Sequence, residues 1–127
     1  MDKAFVFTSF SVDDMEAAKA FYVDVLGFEL GAPMTEHALK IVKGGQRVHI
    51  YPKSNHSPAS FTILNFKVDD IEQAVNQLTK GGVKFEHYDG AGGITTNEKG
   101  IAEDGPRKMA WFTDPAGNIH GLLEGAG

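Results

Sequence analysis

The sequence predicts an α+β fold made of two tandem βαβββ modules. The main observation is a repeat, in which Val12–Ala18 returns as Val68–Ala74, 56 residues later in a chain of 127. Each copy follows a strand-like run and opens a helix-like run. A supersecondary unit that occurs twice, at half the chain length, implies a duplicated architecture with a pseudo-twofold axis. Such a pairing creates a crevice between equivalent strands, where we expect the functional site.

The first module, residues 1–52, contains one predicted helix and four predicted strands. Both faces of Ala4–Ser11 are mostly apolar, which is typical of a strand that meets helices on one side and lines a cavity on the other. Asp13 is a suitable helix N-cap with Glu16 at capping-box spacing, and Gly27 is a natural stop. The other strands are predicted at Phe28–Gly31, His37–Lys43 and Gln46–Tyr51, the last two joined by a two-residue Gly-Gly turn.

The second module, residues 60–127, repeats this order after a linker at residues 53–59. Asp69 and Glu72 again have capping-box spacing, and Gly81-Gly82 ends the helix. Strands are predicted at Ser60–Val68, Val83–His87, Lys108–Thr113 and Asn118–Glu124. The glycine-rich stretch 86–107 is longer than most loops in a compact domain. It is predicted to be either a lid over the crevice or an untethered surface loop.

Length and composition fit one globular domain with a small-molecule or protein partner. The apolar share of 42% and the charged share of 23% are ordinary. A net charge of −5 without a basic block argues against nucleic acid and membrane partners. The chain has no cysteine, and Met1-Asp2-Lys3 leads straight into a strand pattern, so we expect no signal peptide and a cytoplasmic location.

Two motifs and the paired module pattern resemble the vicinal oxygen chelate superfamily of glyoxalase I, bleomycin- and fosfomycin-resistance proteins and extradiol dioxygenases. The motifs are Phe21-Tyr22-x-x-x-Leu26-Gly27-Phe28 at the end of the first helix and Asp114-Pro115-Ala116-Gly117-Asn118 before the last strand. The resemblance covers essentially the whole chain. It implies a curved, partly closed mixed sheet with the helices outside. It does not fix the activity, because the fold supports lyases, dioxygenases, transferases and binding proteins.

The resemblance also implies where a metal would be held. The metal-dependent members take ligands from the first and last strands of each half, and the corresponding positions are Phe7, Ile63, Gly121 and His49. Only His49 has a donor side chain, whereas a catalytic zinc needs about three protein ligands. We therefore expect no cofactor. A divalent metal stays open as an alternative if a register slip has misplaced the ligands.

If the family's strand parity applies, the crevice has largely apolar walls with a few polar groups, as a small-ligand site requires. The residues expected to bind ligand are Phe7, Ser9, His49, Tyr51, Ile63, Asn65, Lys67, Trp111 and Gly121. Gly121 leaves room for a bulky ligand, and Trp111 offers a stacking surface. The same apolar residues could instead fill a closed interior, and His49 could be a structural imidazole.

Two classes of function follow. The first is a metal-free, bleomycin-resistance-like protein that binds an apolar or aromatic small molecule. The second is an enzyme: a glyoxalase-type lyase or isomerase with His49 or His56 as base and Tyr51 or Lys67 as electrostatic partner, or a metal-dependent lyase or dioxygenase with ligands misplaced here. Members of this fold commonly dimerise, so the resemblance also implies a homodimer, which sedimentation tests.

Overall fold

The structure, a computed structural model, describes residues 1–32 and 35–125. It consists of two compact units, Met1–Pro58 and Ala59–Gly127. Each unit contains a β-α-β-β-β succession and a four-stranded mixed sheet, so the predicted α+β fold of repeated modules is confirmed. Within the described ranges, no helix is both long enough and apolar enough to span a membrane.

Unit one has the sheet order β1-β4-β3-β2, in which only the β1–β4 pair is parallel. Its helical segment begins as α1 and continues as a π-helical segment. Tyr22 in that segment is fully buried against the rings of Phe10 and Phe28, which places the helix on the Phe10 side of the sheet. The bounds are β1 Thr8–Val12, α1 Met15–Lys19, the π-helical segment Ala20–Val25, β2 Glu29–Leu30, β3 Leu39–Lys43 and β4 Gln46–Pro52.

The predicted strand Ala4–Ser11 is wrong at its start. β1 lies at the edge of the sheet and pairs with β4 alone, beginning with Thr8 opposite Val48. Continued backward, that register would carry residues 4 and 5 opposite Gly44 and Gly45, in the turn before β4. The side chains of Phe5 and Val6 are 81% and 91% exposed.

Both helices begin one residue later than predicted. Asp14 and Asp70, rather than Asp13 and Asp69, are the N-caps, and their Oδ1 atoms accept hydrogen bonds from the backbone N–H groups of Ala17 and Gln73 at 3.1 Å. The residue with extended backbone directly before the first helical turn is the one that reaches this N–H. The repeat nevertheless located both helix starts to within one position.

Unit two has the sheet order β5-β8-β7-β6, the same topology as unit one. Helix α2 packs on β7 and β8, where Ile71 and Val75 are buried with Ala110, Phe112 and Leu122. The match of both topologies is what a duplicated module predicts. The bounds are β5 Thr62–Lys67, α2 Ile71–Lys80, β6 Ile101–Asp104, β7 Arg107–Thr113 and β8 Ile119–Glu124, with a short 3₁₀ turn at Ala91–Gly93.

The predicted strand Val83–His87 and the predicted loop 86–107 both need correction. Residues 83–87 contribute a single bridge, Phe85 with Phe112, and the second strand of the module is β6, which lies inside the predicted loop. The intervening chain is held by backbone hydrogen bonds, among them Glu86 N–H to Trp111 O at 2.8 Å and Asn97 N–H to Ile101 O at 2.9 Å. This stretch is therefore not an untethered loop.

Candidate functional site

In unit one, the predicted site residues share the face of the sheet opposite the helix. Ser9 lies beside His49 and Ser11 beside Tyr51 in the parallel β1–β4 register. Phe7, just before β1, places its ring 4.8 Å from the imidazole of His49, which is buried with 7% exposure. The aromatic contact holds this imidazole in place and leaves little of it accessible to a reactant.

His56 occupies a different environment in the same unit. Its Nδ1 atom lies 2.7 Å from the hydroxyl oxygen of Ser11, and its backbone N–H donates to Lys53 O at 3.0 Å. The turn after β4 thereby brings this imidazole to the end of β1, half-buried and close to Tyr51 through the Ser11–Tyr51 pair. Of the two histidines considered as bases, His56 is the one with a hydroxyl partner.

In unit two, the predicted residues Asn65, Trp111 and Gly121 meet on the face of the sheet opposite α2. They lie side by side on β5, β7 and β8, because Asn65 pairs with Gly121 and Gly121 with Trp111. A Cβ atom at Gly121 would lie 2.9 Å from Asn65 Oδ1 and 3.6 Å from Trp111 Cδ1. The room that Gly121 was expected to leave for a bulky ligand is therefore already taken by the Asn65 amide, and that expectation is wrong. The missing side chain instead allows the Asn65 amide and the indole to approach each other; we call this cluster of residues the Trp111 face.

A β-bulge changes which residues of β5 belong to the Trp111 face. Thr62 lies opposite Ile119 and Asn65 opposite Gly121, so three residues of β5 span two of β8. Thr62 consequently shares the face with Asn65, and its Cγ2 would be 3.4 Å from a Cβ at Gly121. Ile63 was assigned to this face on the assumption that side chains alternate strictly between the two faces of β5. This alternation fails at the bulge, and Ile63, which is half-buried, lies within the bulge. Lys67, beyond the bulge, lies beside Leu123 and is exposed.

Tyr88 joins the Trp111 face from the connection between α2 and β6. Its ring lies 5.6 Å from that of Trp111 at an interplanar angle of 78°, an edge-to-face contact. Burial, followed by the carboxylate of Glu86, raises the pKa of Tyr88, so the phenol stays protonated at neutral pH. The sequence carried no signal for Tyr88 or Thr62. Tyr88 lies outside the predicted strands, and Thr62 lies at a bulge that no residue pattern indicates.

The bulge is supported from the helix side by His120. Its Nδ1 accepts a hydrogen bond from the backbone N–H of Leu64 at 3.2 Å, and the side chain is fully buried. Burial lowers the pKa of His120 from 6.5 to about 4, against an opposing effect of the Asp114 carboxylate. The imidazole is therefore neutral near pH 7, which is the state that can accept this bond.

We expect His120 to make unfolding easier in mild acid. Between pH 6.5 and about 4 the unfolded chain gains a proton that the folded chain does not bind. The free energy of unfolding therefore decreases as the pH is lowered through this window, by about 3 kcal/mol in total. His120→Gln keeps a hydrogen-bond acceptor that does not titrate. The free energy of unfolding of this variant, measured by chemical denaturation at a series of pH values, should therefore lose this dependence on pH. His37 is exposed, and His37→Gln is the control variant, in which the pH dependence of the free energy of unfolding should be retained. An unchanged slope in His120→Gln would refute the assignment.

The donor set does not fit the family's metal. Phe7 and Gly121 have no donor atom, Ile63 has none either, and His49 is the single imidazole of the four positions. Within residues 1–32 and 35–125, no three His, Asp or Glu side chains lie close enough together to hold a metal ion. No chemical step is therefore assigned to a metal.

The sequence and fold of the chain are similar to those of known proteins. The sequence model of the Glyoxalase/Bleomycin resistance protein/Dioxygenase superfamily matches residues 4–120. The chain belongs to this superfamily. Membership accounts for the duplicated βαβββ topology and for the placement of the candidate residues on strands. It leaves the reaction or ligand undetermined, since one fold supports many functions.

Solved structures of superfamily members cover nearly the whole chain. A Sphaerobacter thermophilus member is 26% identical with a TM-score of 0.68, covering 98% of this chain and 99% of its own. TnmS3, an antibiotic binding protein from a Streptomyces species, is 25% identical with a TM-score of 0.68, covering 98% of each chain. The fosfomycin resistance protein FosX from Mesorhizobium loti is 16% identical, covers 99% of this chain and 95% of its own, and has a TM-score of 0.68, a likeness of fold alone. No curated protein matches the chain.

Proposed function

We propose that this superfamily member binds a small apolar or aromatic molecule without the help of a metal, and that the Trp111 face carries the contact. The supporting observation is the cluster on the Trp111 face, where the half-buried indole of Trp111, the exposed Asn65 and the methyl group of Thr62 lie together around Gly121. An aromatic surface with a few polar groups is the usual composition of a small-ligand site. The antibiotic-binding relative TnmS3 favours the same class of function.

The chemistry of such a site is recognition rather than reaction. Trp111 supplies a ring for stacking, held by Tyr88, and the Asn65 amide supplies one donor group and one acceptor for orientation. The crevice between modules, the homodimer and the cytoplasmic location stay predictions.

Trp111→Ala is expected to weaken ligand binding about tenfold to a hundredfold, because an aromatic stacking contact and its buried area are lost. A thermal-shift screen of aromatic metabolites and antibiotics supplies the ligand, and isothermal titration calorimetry measures the dissociation constant. Trp111→Phe keeps a ring and should retain most of the affinity. Equal affinity of the alanine variant and the wild type would rule out the Trp111 face as the binding surface.

A second candidate, a lyase or isomerase of glyoxalase type, is favoured by the 2.7 Å contact between His56 and Ser11. An imidazole held by a hydroxyl is a suitable general base when substrate lies within reach. If the protein turns over an α-hydroxy or α-keto substrate, His56→Ala should lower kcat by about a hundredfold or more while leaving ligand affinity within a few fold. His37→Ala is the matched control. Undiminished turnover in His56→Ala would exclude this role.

A further inference from the structure

Unit two contains a cavity that the proposed function does not use. It has a volume of about 700 Å³ and lies between the C-terminal half of α2 and the segments 83–87 and 98–99. It therefore adjoins the side of the sheet that carries the helix, whereas the Trp111 face is on the other side. Ligand pockets span roughly 300 to 1,000 Å³, so the volume is sufficient for a small organic molecule.

The walls of this cavity are apolar at their base. Val75 and Val83 are buried, with 1% and 5% exposure, and both border the cavity. Phe85, half-buried, borders it as well and places its ring 5.6 Å from that of Phe112 in the core. A ligand seated there would remove apolar surface from water, which favours a hydrocarbon or aromatic body.

Three lysines, Lys80, Lys84 and Lys99, line the same cavity. Lys99 is held in place by an ion pair with Glu72 at 2.7 Å. In the described ranges Lys80 and Lys84 form no ion pair. Two ammonium groups without a carboxylate partner, above an apolar base, are suited to an anionic headgroup.

The remaining polar groups of the cavity do not cancel this charge. The last carbonyls of α2, which could repel an anion, accept backbone hydrogen bonds: Gly81, Gly82 and Val83 donate to Gln77, Thr79 and Leu78 at 3.2, 3.1 and 3.0 Å. Among the residues that line the cavity, Glu98 is the one with a carboxylate, and Glu98 is exposed. Its carbonyl lies 3.0 Å from His87 Nε2, which ties residue 98 to the opposite wall.

We propose that this cavity is a binding site for a small amphipathic anion, a carboxylate on an aliphatic or aromatic body. Lys80 and Lys84 contact the carboxylate, and Val75, Val83 and Phe85 contact the apolar body. The site shares no residue with the Trp111 face, so either proposal can fail without the other.

Decanoate is a suitable probe, with decanol as its uncharged counterpart. Binding is followed by the amide chemical shifts of the full chain. Decanoate should shift the amide signals of Asn76, Thr79 and residues 83–87. Decanol should bind at least tenfold more weakly than decanoate. The double variant K80E/K84E should weaken decanoate at least tenfold. The pair K3E/K53E, exposed residues of unit one with the same charge change, should leave binding within twofold.

A second variant separates the cavity from its charge. Thr79→Trp, at an exposed helix position bordering the cavity, fills the space and should abolish the decanoate shifts while all lysines remain. The proposal is overturned if decanoate shifts only signals outside this cavity, if both charge-reversal pairs weaken it equally, or if Thr79→Trp binds like the wild type.

Discussion

Asp114→Ala is expected to lower the free energy of unfolding by about 4 kcal/mol. The Asp114 carboxylate is buried and accepts hydrogen bonds, among them those from the backbone N–H groups of Ala116 and Asn118 at 2.9 and 2.8 Å and from Asn118 Nδ2 at 3.0 Å. Bonds to a charged acceptor contribute about 1.5 kcal/mol each, and their loss leaves buried donors unsatisfied.

Chemical denaturation of Asp114→Ala measures this loss. Asp104→Ala is the matched control, since its carboxylate is exposed and makes one ion pair with Arg107 at 3.0 Å; its cost should be below about 1 kcal/mol. Equal losses in the two variants would contradict the account. If the difference is observed, the Asp-Pro-Ala-Gly-Asn motif stabilises the turn between β7 and β8.

Gly100→Ala is expected to cost about 4 kcal/mol, for two independent reasons. Gly100 has φ of +88°, which is strained for any residue with a Cβ atom. In addition, that Cβ would lie 3.0 Å from Glu86 O and 3.1 Å from Phe85 Cβ, closer than packing allows. Glu86 and Phe85 contact β7, so the displacement would spread to Trp111 and Phe112.

Gly92→Ala isolates the backbone contribution to that cost. Gly92 also has a positive φ, +69°, but nothing lies within 4 Å of the Cβ it would gain. Its expected loss is about 1 kcal/mol. Thermal or chemical unfolding compares the two variants, and similar losses would mean that the contact with residues 85 and 86 carries no energetic weight.

The repeat in the sequence was sufficient to predict the topology, because local caps and periodicity determine helices and each helix recurs at the same offset. What could not be predicted depends on partners distant in sequence. β1 begins at Thr8, opposite Val48 of β4, and residues 4 and 5 would fall opposite the turn before β4. β6 lies in a glycine-rich stretch, and its four residues show no clear alternation. Edge pairing of this kind is decided by tertiary contacts, not by propensity.

The residues of the Trp111 face were predicted only in part, because some of them depend on contacts between residues distant in sequence. Asn65, Trp111 and Gly121 were placed together because strand parity holds on β7 and β8. Thr62 was missed and Ile63 chosen, because a bulge shifts the parity of β5 by one residue and leaves no trace in residue type. Tyr88 reaches Trp111 through the fold of a connection that no local pattern describes.

Binding of an aromatic molecule to the Trp111 face without a metal, as proposed for this superfamily member, can be measured directly. Trp111 is the single tryptophan of the chain, so its fluorescence reports on this face alone. Titration with the aromatic compound that gives the largest thermal shift should quench Trp111 emission saturably, with the same dissociation constant before and after dialysis against a chelator. Quenching that disappears on chelation and returns with zinc, nickel or iron would contradict the account.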